Sequence, residues 1–96
     1  MIYIEPQHKD IIINILKKYP YTVYAFGSRV KGTQRLLSDL DLCIKENISF
    51  RERAHLDADF EESNLPYRVD IVIWPQLKPG FQKNIQKDLL LFYKPN

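Results

Sequence analysis

Only one cysteine, Cys43, occurs in the chain, so no intrachain disulfide can form and no cysteine-based zinc site can be assembled. A chain without disulfides fits a reducing compartment. No apolar run approaches the length needed to cross a membrane. The opening residues, MIYIEPQHKD, lack the basic and apolar blocks of a secretory signal. A cytoplasmic protein without membrane contact is therefore expected, and the sequon Asn47-Ile48-Ser49 is then without consequence. Charge of one sign is scarce too: the formal net charge is +2, with Lys and Arg spread along the chain. That balance permits an anionic ligand, but a dedicated nucleic-acid binder carries a denser basic stripe, so no direct nucleic-acid partner is expected. Internal repeats and low-complexity segments are missing, and 96 residues leave room for one core, so residues 1–96 form a single domain.

What is present reads as alternating helices and strands. Glu5-Pro6 opens a helix whose apolar face is Ile11, Ile12, Ile15, Leu16 and Tyr19, and Pro20 stops it. The β-branched and aromatic run from Tyr21 to Phe26 predicts a first strand, ended by Gly27, with Ser28 to Lys31 long enough only for a turn or short helix. Asp39 to Ile44 predicts a second strand, with Leu40, Leu42 and Ile44 on one face and Asp39, Asp41 and Cys43 on the other. Ser49 with Glu52 reads as a capping box that starts a helix running to about Ser63. Tyr67 to Trp74 predicts a third strand, and Phe81, Ile85, Leu89 and Phe92 mark a closing amphipathic helix. The fold class is α/β (α+β): a three-stranded mixed sheet flanked by helices in the order αβαβαβα. A short link between strands one and two favours an antiparallel pair, which sets Gly27-Ser28 beside Asp39 and Asp41.

Two aspartates at i and i+2 share one strand face, where like charges repel unless a cation or a shared proton intervenes. Magnesium suits them, since it is hard and is held by one or two carboxylates plus water and phosphate oxygens. Asp70, in the middle of an apolar strand, offers a third carboxylate, and three such groups on neighbouring strands fit two-metal phosphoryl transfer. Gly27 lets backbone approach a phosphate, Ser28 adds a donor, and Arg29 and Lys31 can neutralise phosphate charge. Each feature alone has a plainer reading: a turn at Ser38-Asp39, an ion pair of Asp70 with Arg68, a strand end at Gly27. Their conjunction outweighs these. A P-loop is excluded, because Thr33 stands where its lysine would be. His8 and His55 are isolated and read as surface residues, Cys43 reads as an inert buried thiol, and Tyr67 and Trp74 read as packing.

Phe26-Gly27-Ser28, ten residues, then Asp39-Leu40-Asp41 resembles the signature of the DNA polymerase β-type nucleotidyltransferase superfamily. The chain is most similar to the minimal nucleotidyltransferases, which act as antitoxins beside HEPN-domain ribonuclease toxins. GSRVKG, SDLDL and Asp70 within RVDIV carry the resemblance. It implies Mg²⁺-dependent transfer of AMP from ATP to a tyrosine of the cognate toxin, within a hetero-oligomer. It further implies that Gly27 and Ser28 hold the β- and γ-phosphates, with Arg29 assisting at the triphosphate. Asp39 and Asp41 would bind two Mg²⁺ ions, and Asp70 would ligate one of them and activate the acceptor. Two other functions compete with this expectation. One is a non-catalytic module that masks the toxin; the other is a small-molecule nucleotidyltransferase of antibiotic-modifying type, for which the chain is short.

Overall fold

In the computed structural model, which describes residues 1–96, the chain runs through α1 (Pro6–Leu16), β1 (Val23–Phe26), α2 (Ser28–Lys31), β2 (Leu40–Ile44), α3 (Phe50–Glu61), β3 (Val69–Ile73), α4 (Pro79–Gln86) and β4 (Leu90–Tyr93). A single 3₁₀ turn, Trp74–Gln76, links β3 to α4. Local chemistry accounts for most of the helix ends. Proline occupies the first position of α1 and of α4, where its missing N–H is not needed. Ser49 caps α3 by accepting the Glu52 N–H at 3.1 Å. The carboxylate of Glu52 is held in turn by the Tyr21 hydroxyl, which donates to it at 2.6 Å.

The sheet order is β3-β2-β1-β4. β1 pairs antiparallel with β2 and with β4, while β2 pairs parallel with β3, as a helical crossover through α3 requires. The sheet is therefore mixed, as expected, but has four strands rather than three. The expected closing helix stops at Gln86, and Leu90–Tyr93 turns back to pair with β1. β1 is buried at Val23, Ala25 and Phe26, and its second edge needs hydrogen-bonding partners that only another strand supplies. Phe81 and Ile85 do lie on α4; Leu89 and Phe92, beyond its end, fall on that period by coincidence.

Leu40, Leu42 and Ile44 alternate onto the main core with Val23, Ala25, Ile71 and Ile73, covered by Ile12, Ile15 and Leu16 of α1 and Leu56 and Phe60 of α3. The opposite face carries a smaller cluster of Phe26, Cys43 and Ile85, the last from α4. The alternation that buries Leu40, Leu42 and Ile44 thus turns Asp39 and Asp41 to the second face, at the start of β2.

Candidate active site

Gly27 ends β1 with φ 82° and ψ −156°, a backbone state essentially confined to glycine. The antiparallel register sets Phe26 opposite Asp41, so the next residue, Gly27, meets the Asp41 side chain. A Cβ at position 27 would collide with Oδ2 of Asp41 and lie 3.1 Å from its Cγ. The absent side chain is what lets the two approach. α2 starts at the next residue, Ser28, which is half-buried; Val30 and Lys31 N–H donate to the Gly27 carbonyl, and the N–H groups of Ser28 and Arg29, ahead of them, have no backbone partner in the helix.

The parallel register pairs Asp41 with Asp70. Asp41 is half-buried, and its carboxyl is pushed up to about 6, first by burial and then by the charges of Asp70 and Asp39. Asp70 is exposed, and its Oδ1 lies 3.7 Å from Nη2 of Arg68, so the ion pair that a plainer reading of the sequence offers does exist, in a loose and solvated form. Asp39 sits just ahead of β2, also exposed, where Leu40 N–H donates to the Arg68 carbonyl at 2.9 Å. The structure thus brings Gly27, Asp41 and Asp70 side by side, with Asp39 near enough to act on Asp41. No three Asp, Glu, His or Cys side chains are gathered tightly enough to enclose a metal unaided. An oxygen-only set with an electrostatically strained carboxylate at its centre still fits Mg²⁺, an ion that completes its shell with water and phosphate.

Arg29 is placed differently from expectation. Its guanidinium is buried and points into the chain, donating to the carbonyls of Ser38, Tyr3 and Leu36 and lying over the Tyr67 ring. The contact with triphosphate implied by the resemblance is thereby replaced by internal ones. Lys31 stays exposed and reaches Asp88, Nζ to Oδ2, at 3.6 Å. Cys43 is fully buried, and burial pushes its thiol up to about 11, in keeping with an inert role. An open cavity of about 720 Å³ between α3 and β3 is bordered by Asp39 and Asp70, together with Arg53, Asp57, Tyr67 and Arg68, but not by Asp41 or Gly27. Asp88 and Tyr3 carried no signal in the sequence: both reach the neighbourhood of α2 only through the return of β4 and the path of the N-terminal segment.

Comparison with known proteins agrees with this geometry. Residues 10–96 match the family described as Polymerase beta, Nucleotidyltransferase. A Haemophilus influenzae protein named as a probable protein adenylyltransferase, MntA, is 42% identical over 88 residues, covering 88% of this chain and 77% of that one. A chain in a crystal structure of a toxin-antitoxin with AMP-PNP shares the fold, with a TM-score of 0.70 at 22% identity over 92% of this chain and 74% of that chain. A Sulfolobus solfataricus structure described as a candidate nucleotidyltransferase gives a TM-score of 0.52 at 27% identity, covering 91% and 77%. With a glycine-serine turn set against carboxylates from two strands and a family match over nearly its whole length, the chain belongs to the polymerase beta-type nucleotidyltransferases, within their minimal nucleotidyltransferase group.

Proposed function

We propose that this chain transfers AMP from ATP to a tyrosine hydroxyl of a cognate HEPN-domain ribonuclease toxin in the cytoplasm, and so acts as the antitoxin of a hetero-oligomeric pair. One observation carries the reading: Asp41 lies against the bare α-carbon of Gly27 on one side and is paired in register with Asp70, whose charge acts on it, on the other. That arrangement joins a phosphate-accepting turn to a cation-demanding cluster. The 42% identity to a protein named as an adenylyltransferase supports a protein acceptor.

In this reading Gly27 and Ser28 donate backbone N–H groups, and Ser28 its hydroxyl, to the β- and γ-phosphates. Asp39 and Asp41 would hold two Mg²⁺ ions, with Asp70 a ligand to one. Bound Mg²⁺ neutralises triphosphate charge and makes an oxygen easier to deprotonate. A tyrosine hydroxyl, with a pKa of about 10, is a poor nucleophile at neutral pH unless its proton is taken. Asp70, exposed on β3, accepts that proton. The tyrosine oxygen then bonds to the α-phosphorus, the bond from that phosphorus to the bridging oxygen breaks, and pyrophosphate leaves.

The test is transfer of labelled AMP to a co-expressed toxin, with thermal unfolding measured in parallel. Asp39→Asn combined with Asp41→Asn should abolish transfer while the protein stays folded and still co-purifies with the toxin. Transfer retained by that double variant would sink the proposal. Full protection of cells without transfer would instead make masking the mechanism.

A further inference from the structure

Arg29 is a buried cation with no carboxylate within ion-pair distance, at 5% exposure. Arginine is almost never fully buried unless paired, so its partners here are the point of interest. What the guanidinium holds is backbone. Nε and Nη2 donate to the Ser38 carbonyl at 3.0 and 2.8 Å, Nη1 donates to the Tyr3 carbonyl at 3.0 Å, and Nη2 reaches the Leu36 carbonyl at 3.5 Å. The Tyr67 ring backs the fork, its centroid 3.9 Å from Cζ. The backbone carbonyl of Arg29 also accepts the Tyr3 N–H at 2.7 Å.

These contacts lie between the two halves of the site. Arg29 directly follows Ser28, and Ser38 directly precedes Asp39. Between them the chain leaves α2 after Lys31 and runs from Gly32 to Ser38 as a loop exposed at Leu36 and Leu37. The β1–β2 ladder sets Asp41 against Gly27 but ends there, so the spacing of Asp39 from the Gly27-Ser28 turn is left to this loop, and the planar five-donor fork of arginine defines it. We infer that Arg29 is a positioning residue for nucleotidyl transfer: it fixes Asp39 relative to the Gly27-Ser28 turn through the Ser38 carbonyl, and makes no contact with nucleotide itself. The inference rests on the function proposed above.

Lysine preserves the charge but cannot span three carbonyls in one plane, so Arg29→Lys separates positioning from charge. Calorimetry with Mg²⁺ and AMP-PNP needs no acceptor and no turnover. Arg29→Lys should bind about 10–100-fold more weakly than wild type, the range typical of residues that orient ligating groups. Leu56→Val, a core change on α3 away from the site, should bind as wild type does despite its own loss of stability. In the free protein, amide exchange at Ser38 and Leu40 should quicken in Arg29→Lys and not in Leu56→Val. Should Arg29→Lys not fold, the wild-type protein alone decides the matter by nuclear magnetic resonance. The Arg29 Nε–H signal should be protected before Mg²⁺ and AMP-PNP are added and unmoved afterwards. Equal binding by Arg29→Lys and wild type overturns the inference, as does an Nε–H signal that shifts on addition of nucleotide. Wild type that binds no AMP-PNP overturns the function and the inference together, whereas the first two results count against Arg29 alone.

Discussion

At Asp41, burial, Asp70 and Asp39 all favour the neutral carboxyl, in that order of weight. A carboxyl whose folded pKa lies above its unfolded value stabilises the fold fully below the unfolded value, and that advantage is lost as pH rises through the folded one. For Asp41 the window runs from 3.8 to about 6. Metal-free protein with Asp41→Asn should therefore gain stability over wild type as pH rises through this window, and keep the gain at neutral pH. Thermal unfolding in a chelator across the window measures it; an unchanged difference between acid and neutral pH would contradict the assignment. Since Mg²⁺ needs the ionised form, Mg²⁺ affinity of the wild type should climb over the same interval. Gly27 yields a second expectation. Gly27→Ala must accept both a glycine-only backbone state and a clash with Asp41, at a cost of about 1–3 kcal/mol for the strained backbone before the clash is counted. Urea unfolding together with AMP-PNP binding should show loss of both stability and affinity.

Elements differ in how far their making is local, and this decides what could be read from the sequence. α3 was legible because its start is a short-range contact: Ser49 and Glu52 are three apart, and the hydroxyl accepts the Glu52 N–H. Ser49→Ala should accordingly cost about 1 kcal/mol, visible in urea unfolding. β2 was legible from strict alternation, which placed Asp39 and Asp41 on one face before any contact was known. The neighbourhood of Gly27 with Asp41 followed from a link too short for a parallel pair. β4 was not legible, because its existence answers a need of β1, more than sixty residues earlier in the chain. The burial of Arg29 escaped for the same reason: carbonyls of residues 3, 36 and 38 leave no trace in side-chain pattern. Deleting residues 89–96 should reopen the edge of β1 and give a chain that self-associates, measured by size-exclusion chromatography.

For the molecule as a whole, the parallel step from β2 to β3 sets carboxylates of different exposure next to each other, and different roles follow from that. Asp41→Asn should lose both AMP-PNP affinity and transfer. Asp70→Asn should keep most of the affinity and lose about 10²–10⁴ in single-turnover transfer, the usual contribution of a positioned base. Equal loss of affinity in the two variants would make Asp70 chiefly an anchor. β3 is also one of the two edge strands of the sheet, and the Asp70 side chain is 55% exposed on it. On the function proposed above, solvent therefore reaches the carboxylate that would activate the acceptor, and water is itself a hydroxyl. With no acceptor protein present, the isolated chain should leak: water replaces tyrosine at the α-phosphorus, and ATP is slowly spent to AMP and pyrophosphate. Pyrophosphate release above that of the Asp39→Asn, Asp41→Asn double variant would measure the leak, and a bound partner, by covering β3, should close it.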